Sequence, residues 1–277
     1  MEIHAWLKQA ITALQGGNSP KRDAEIILRF VTGQSHSWLI AFDKTELLPE
    51  QLVCLNLLLE RRVQGEPVAY LVGEREFWSL PLRVSSATLI PRPDTEVLVE
   101  QALKRIPTTP SSILDLGTGT GAIALALACE RPDCQVQGVD RIDAAVMLAR
   151  NNAKRLAIPN AVFTMSHWFD NILTKRFHLI VSNPPYIGRN DQHLLQGDVR
   201  FEPLSALVAN EDGLADLRHL ITQAPQWLVP SGWLLLEHGW KQDAIVRELM
   251  QQQGFFQVTT VNDYSGNPRV TLGQTAP

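Results

Sequence analysis

Ile113-Leu114-Asp115-Leu116-Gly117-Thr118-Gly119-Thr120-Gly121 is the stretch from which the rest of the chain can be read. Ser112–Leu116 is a short apolar-rich strand, and the apolar run that starts at Ala122 is a helix, so the three glycines occupy a strand-to-helix turn. Lacking Cβ atoms, they permit the tight turn and let backbone approach a ligand closely. In an open α/β sheet, ligands collect outside the carboxyl ends of the strands, where such a loop lies. A glycine-rich turn alone suits several nucleotide-type cofactors.

Asp140 narrows the choice. It ends the next strand, about 20 residues past the loop, where a doubly wound fold places an acid to accept the ribose hydroxyls. These two elements fit NAD and S-adenosylmethionine about equally, since both carry an adenosine ribose. Two details favour the latter: the spacing is Gly-x-Gly-x-Gly, and Asp115 precedes the first glycine, which suits a cationic amino acid end better than a pyrophosphate.

Working outward, strands are expected at Ser112–Leu116, Gln135–Asp140, Ala161–Met165, His178–Ser182, Trp233–His238, Gln257–Val261 and Val270–Leu272. Helices are expected at Gly121–Glu130, Ile142–Leu156, Gly213–Leu228 and Gln242–Gln253. This alternation predicts a seven-stranded, doubly wound, mostly parallel sheet with helices on both faces. The turn between the last two strands is too short for a parallel crossover, so the last strand is expected antiparallel. Residues 1–73 differ: apolar residues recur at helical spacing (Trp6, Ala10, Leu14; Ala24, Ile27, Leu28, Val31; Leu52, Leu55, Leu58, Leu59), with Ser19-Pro20 as a capped helix start. The expected organisation is a small helical bundle over 1–73, a β-hairpin linker over 74–92 with strand pieces at Leu82–Val84 and Thr88–Ile90, and the cofactor domain over 93–277.

The chain has 277 residues, 45% hydrophobic and 19% charged, with a formal net charge of −4. That composition buries a real core and gives no electrostatic reason to expect tight nucleic-acid binding. Cys54, Cys129 and Cys134 have no metal-like spacing and read as core-type thiols in a reducing compartment. The N-terminus does not resemble a signal peptide, and no apolar run is long enough to span a bilayer, so a cytoplasmic protein without membrane contact is expected.

Asn183-Pro184-Pro185-Tyr186 follows the fourth strand at the carboxyl edge of the sheet. Consecutive prolines hold the chain extended and cannot donate, so their carbonyls become fixed acceptors. The Asn183 side-chain oxygen adds another acceptor, and Tyr186 an aromatic face. Such a site suits a planar NH2 group, whose two donors lie in one plane. Trp168, just past the third strand, is a flat apolar wall for an adenine. No histidine falls in a triad or metal spacing, so no metal is expected.

Asn-Pro-Pro-Tyr in this position resembles the amino-group methyltransferases: DNA adenine-N6 and cytosine-N4 enzymes and protein glutamine-N5 enzymes. Further stretches make the resemblance specific to the release factor glutamine methyltransferases: Arg22–Glu25, Arg75–Trp78, Leu89-Ile90-Pro91-Arg92-Pro93-Asp94-Thr95-Glu96, Arg200-Phe201-Glu202-Pro203 and Leu235–Gly239. DNA enzymes with the same motif generally lack the Ile-Pro-Arg-Pro and Phe-Glu-Pro pieces. The resemblance covers essentially the full length, with one departure, His167, where the family usually carries an acid.

The resemblance implies S-adenosylmethionine as methyl donor, S-adenosylhomocysteine as product, and the glutamine of the Gly-Gly-Gln motif of class-1 peptide chain release factors as acceptor. It implies no direct nucleic-acid partner. Residues 1–73 would grip the release factor. Gly117, Thr118, Gly119, Thr120, Gly121, Asp140, Trp168 and Asn183 would hold the cofactor. Asn183, Pro184, Pro185 and Tyr186 would hold the substrate amide, with Asn183, Pro184 and Tyr186 catalytic. Arg92, Glu96 and Glu202 are carried by the resemblance alone.

Overall fold

The computed structural model describes residues 1–172 and 176–277. By internal contacts the chain forms two units: Met1–Glu74 with Gln192–Phe201, and Arg75–Asp191 with Glu202–Pro277.

The first unit is helical: α1 (Ile3–Ala13), α2 (Pro20–Thr32), α3 (His36–Ala41), α4 (Pro49–Val63) and α5 (Val68–Val72). Their apolar stripes meet in one core built on Trp6, Ile27, Leu28 and Leu55. The α2 helix begins with Pro20 and ends on Gly33 at φ 67°, the left-handed stop that glycine adopts without strain. Ser19 occupies the N-cap position, but its hydroxyl makes no capping bond. Asp23 is instead half of an ion pair with Arg62 at 2.7 Å, and Arg62 also reaches Asp198 at 3.0 Å. Nothing in the sequence signals that the segment containing Asp198 belongs with the helices. Arg200 of the same segment lies where a Cβ on Gly65 would stand, 1.8 Å away.

In the second unit a hairpin of β1 (Glu74–Phe77) and β2 (Leu80–Arg83) turns through Trp78 and Ser79, both at positive φ. The expected strand at Thr88–Ile90 does not form. A two-residue turn with both φ positive closes the hairpin earlier, without the glycine that usually marks it. Thereafter come α6 (Glu96–Leu103), β3 (Ser112–Leu116), α7 (Ala122–Glu130), β4 (Gln135–Asp140), α8 (Asp143–Arg155), β5 (Ala161–Met165) and β6 (Phe177–Ser182). Short pieces follow: β7 (Ile187–Gly188), α9 (Leu204–Leu207), β8 (Val208–Ala209) and α10 (Asn210–Gly213). The chain closes with α11 (Ala215–Gln223), β9 (Leu228–Glu237), α12 (Asp243–Gln252), β10 (Phe256–Asn262) and β11 (Pro268–Gln274).

The seven strands order as β10-β11-β9-β6-β3-β4-β5, and β11 runs antiparallel to both neighbours. Period-2 alternation sorts side chains to two apolar layers. Ile113, Leu179, Val181 and Leu235 join α6, α7 and α8 on one face, whereas Leu114, Leu116, Ile180, Leu234 and Leu236 join α11 and α12 on the other. Every residue from Ala122 to Ala128 is buried, so α7 is apolar all round and packed on all sides. Leu228, expected to end a helix, opens β9 because Pro225 cuts α11 short in a 3-10 turn. Cys129 is exposed on the last turn of α7 and Cys54 is half-buried, so only Cys134 is the core thiol expected of all three. No described helix is long and apolar enough to cross a membrane.

Candidate active site

Parallel register brings the ends of four strands level. Leu116 pairs with Val139 and with Ser182, and Ser182 pairs with Leu236. The residues that follow, Gly117, Asp140, Asn183 and Glu237, therefore emerge side by side at the carboxyl edge. There a cleft opens whose atom-free space, counted out to its mouth, is about 890 Å³. Its walls include Gly117 to Thr120, Asp140, Trp168, Asn183 and Pro185, together with Thr88, Pro91, Arg92, Thr95, Ser166 and His167. Gly121, Pro184 and Tyr186 do not line it.

The glycine loop is fixed by its own backbone: the N–H groups of Gly117 and Thr118 both donate to Val139 O at 2.9 Å. Gly117 sits at φ 73°, and a Cβ there would meet the Trp168 ring at 3.3 Å. A side chain would thus fill the cradle between loop and indole. Gly121 serves a different end. At φ 84° it lets α7 pack so closely that a Cβ would touch Ala149, Phe163 and Leu125 at 3.1–3.2 Å.

Asp140 is aimed by backbone donors: Gly119 N–H reaches Oδ2 at 3.0 Å and Ile142 N–H reaches Oδ1 at 2.9 Å. Each carboxylate oxygen keeps acceptor capacity beyond one bond, so both can still receive hydroxyls from the cleft. Trp168 is 9% exposed and holds φ at 48°. A bulky side chain in the left-handed region is costly, and such strain concentrates where a ligand must be met. The exposed ring of His167 lies 3.4 Å from Asp170.

Asp115 departs from its expected role. It is fully buried beneath the loop, taking the Thr118 hydroxyl at 2.6 Å and the Ala124 N–H at 3.3 Å, and it does not reach the cleft. Burial pushes its carboxyl up to about 7. Its place is in tying the loop to the start of α7.

On the opposite wall the Asn183 amide Nδ2 donates to Thr95 Oγ1 at 3.2 Å. Thr95 is 4% exposed and lies near the Glu237 carboxyl, whose ionised form it favours. Tyr186 donates its hydroxyl to Glu237 Oε1 at 3.3 Å, and its carbonyl accepts Gln242 Nε2 at 3.0 Å, which pins the loop from below. Burial raises both the Tyr186 phenol and the Glu237 carboxyl, the latter to about 7. Glu202 is buried and takes both the Ile90 N–H, at 2.9 Å, and the guanidinium of Arg92, closing the rim. Glu96 accepts the Trp78 N–H at 2.9 Å and holds the hairpin turn. Thr95 and Glu237 lie within Leu89–Glu96 and Leu235–Gly239, two of the stretches that carry the resemblance, but neither was assigned a role from the sequence.

The geometry fits S-adenosylmethionine: a cradle that a Cβ would fill, a carboxylate on the cleft wall oriented by backbone donors, and an indole wall. The comparisons agree. A family model described as the PrmC N-terminal domain matches residues 5–73, and one described as the methyltransferase small domain matches 92–197. The release factor glutamine methyltransferase of Salmonella typhimurium is 57% identical over 277 residues, covering all of both chains. That of Yersinia pestis is 60% identical over 276 residues, again with full coverage. Among solved structures, a methyltransferase from Pyrococcus furiosus aligns with a TM-score of 0.56 at 18% identity, covering 79% of this chain and 98% of that one. At that identity it speaks for the fold alone. Full-length identity well above half, with both domain models in order, makes this chain a member of the release factor glutamine methyltransferase family.

Proposed function

We propose that the chain transfers a methyl group to the side-chain N5 of the glutamine in the Gly-Gly-Gln motif of class-1 peptide chain release factors, and so modulates translation termination. The observation that carries this is the convergence of the glycine loop, Asp140, Trp168 and Asn183 on one cleft. S-adenosylmethionine is the methyl donor and supplies an electrophilic methyl carbon on a sulfonium. The loop from Gly117 to Thr120 and the Asp140 carboxylate receive its backbone and ribose, and Trp168 flanks the adenine.

An amide nitrogen is a weak nucleophile because its lone pair is delocalised into the carbonyl. Asn183 Oδ1 accepts an N–H of that amide from the wall of the cleft, while Pro184, which does not line it, helps hold the loop extended. That bond strengthens as the nitrogen gains positive charge, which favours the transition state over the ground state. Holding the nitrogen in line with the methyl carbon supplies the rest. The methylated amide is acidic enough to lose its proton to water, so no strong base is needed. Tyr186 serves by anchoring the Asn-Pro-Pro-Tyr loop through Glu237 and Gln242 rather than by walling the cleft.

The helical unit supports the recognition half of this reading. Phe30, Ile40, Phe42, Val53, Leu57 and Val63 are exposed there, and Val53 and Leu57 lie one turn apart on α4. Exposed apolar patches of this kind mark protein contacts. A net charge of −4 suits a protein partner better than a polyanion. The test is mass spectrometry of a release factor after incubation with isotopically labelled S-adenosylmethionine. A single methyl on the Gly-Gly-Gln glutamine is expected, and label at any other residue would refute the assignment.

A further inference from the structure

The turn after β5 holds a strained residue and, just before it, a buried hydroxyl. Trp168 keeps φ at 48°, in the left-handed region that a bulky side chain enters only at a cost. Its indole there meets the glycine loop: a Cβ on Gly117 would stand 3.3 Å from Cζ3 and 3.6 Å from Cη2. Relaxing Trp168 to a negative φ would swing its Cα–Cβ bond and carry the ring off that wall. The strained form therefore needs a hold.

Ser166 supplies it. The residue is 1% exposed, and its hydroxyl donates to the Trp168 carbonyl at 2.9 Å while accepting the Asn171 N–H at 3.0 Å. Its own N–H donates to Asp140 O at 3.0 Å, so the hydroxyl is anchored to the strand end that carries the ribose acceptor. Beyond Trp168 the Asp170 N–H closes on His167 O at 3.1 Å, and Phe169, stacked on Trp227 at 5.6 Å, turns into the core. The chain thus reverses around one oxygen. We propose that Ser166 is a positioning residue of the cofactor site: by joining the Trp168 carbonyl to the Asn171 N–H it keeps Trp168 left-handed, with the indole in place against Gly117 to flank the adenine of S-adenosylmethionine. This rests on the reading of Trp168 as the adenine's wall.

A hydroxyl suits this place because it carries one proton and two lone pairs, and so donates and accepts at once. Both of its partners are backbone groups of fixed polarity, which gives the proton a single destination. An alanine would leave that carbonyl and that N–H without this partner, and the turn could satisfy them only by rearranging around Trp168. The consequence falls on the cofactor. An indole already in place loses no freedom when the adenine arrives, whereas a loosened one must be ordered on binding, which weakens affinity.

The test uses the full-length enzyme and titration calorimetry with S-adenosylmethionine. Ser166→Ala should raise Kd about three- to tenfold, the weight of one or two hydrogen bonds. Ser166→Thr, which keeps the hydroxyl, should recover most of that loss. Trp168→Ala should raise Kd by about tenfold or more, as for a base stacked on an aromatic ring. Because the serine acts through the indole, adding Ser166→Ala to Trp168→Ala should change Kd by less than about twofold. An unchanged Kd in Ser166→Ala, beside a weakened Trp168→Ala, overturns the proposal and leaves the adenine reading standing. Additive losses, or a loss that Ser166→Thr does not recover, also overturn it, since the serine then acts by a route other than its hydroxyl and the indole. An unchanged Kd in Trp168→Ala removes the adenine reading and the proposal with it. Should Ser166→Ala fail to fold, Ser166→Cys decides: its weaker donor and acceptor should raise Kd in the same direction, and unmodified affinity there refutes the hold.

Discussion

The two units of the molecule put polar and apolar groups to opposite uses. Around the sheet, most apolar side chains are hidden in two layers, while buried acids and hydroxyls cluster at one strand edge, Asp115, Thr118, Thr95 and Glu237, beside the half-buried Asn183. In the helical unit the buried acid Asp23 is neutralised by Arg62, and it is apolar groups such as Phe30, Val53 and Leu57 that remain in solvent. In the proposed function, the pre-arranged polar edge would serve chemistry on a small group, and the outward apolar groups would serve contact with a large one. If that division holds, changes at the strand edge alter rate or cofactor affinity, and changes on the helices alter the use of the protein substrate.

The largest effect is expected at Asn183. Asn183→Ala should lower kcat by about 10²–10³, the usual cost of an acceptor or donor aimed at developing charge, with S-adenosylmethionine affinity little changed. Single-turnover assays at saturating substrate measure it. Near-normal turnover would place the amide somewhere other than the Asn-Pro-Pro-Tyr loop.

A smaller loss is expected at Asp140. Its two oxygens are already oriented by Gly119 and Ile142, so the carboxylate is prepared for a pair of hydroxyls. Asp140→Ala should weaken S-adenosylmethionine by about 10- to 100-fold, since hydrogen bonds to a charged group contribute ~1.5–3 kcal/mol. Titration calorimetry reads this directly, and an unchanged Kd would break the ribose assignment.

What the sequence disclosed and what it hid follow one physical division. Strands β3 and β5 were legible because each is a short apolar-rich run, β4 because its valines alternate with polar or small residues up to Asp140, and the glycine loop because backbone demands show as residue type. The hairpin was misplaced because Trp78 and Ser79 take positive φ without being glycine. Asp115 was misread because an acid beside a glycine loop looks alike whether it faces a ligand or the core. The bond from Asn183 to Thr95 was invisible for another reason. It joins two segments distant in the chain, brought together at the end of β6 and the turn before α6, and no local pattern encodes such a meeting. The same holds for Asp198, which meets Arg62 from 136 residues away.

On the helical side the expected change is about tenfold and confined to one substrate. Val53→Glu with Leu57→Glu places two charges on the outward face of α4 without touching the core residues Leu55 and Leu58. The KM for a folded release factor should rise about tenfold, a loss of ~1.4 kcal/mol. Methylation of a short Gly-Gly-Gln peptide and affinity for S-adenosylmethionine should stay as they were. Equal damage to peptide and protein would show that this face does not distinguish them.

The smallest effect sharpens the contrast between the two buried acids. Asp23 has a guanidinium at 2.7 Å, whereas Asp115 has only the Thr118 hydroxyl and the Ala124 N–H, and its Oδ1 has no partner among the described residues. Burial raises Asp115 from 3.8 to about 7, so the folded state holds a proton that the unfolded chain has released. The sign follows from linkage. The favourable contribution is complete below pH ~4, and it drains away as pH rises from there through 7, at up to ~1.4 kcal/mol per pH unit. Glu237, raised from 4.5 to about 7, adds to the same trend. Asp115→Asn cannot ionise, so its Tm should fall less than that of the unmodified protein between pH 5 and pH 8, by an amount equivalent to about 2–3 kcal/mol. Asp23→Asn, by contrast, leaves Arg62 with Asp198 alone and should lower Tm at pH 8, because a half-buried cation has lost its nearest anion. Thermal melts of both variants at the two pH values make the comparison. If Asp115→Asn melts with the same pH dependence as the unmodified protein, the acid beneath the glycine loop is not titrating in that range, and its burial is compensated by interactions other than the two hydrogen bonds it makes.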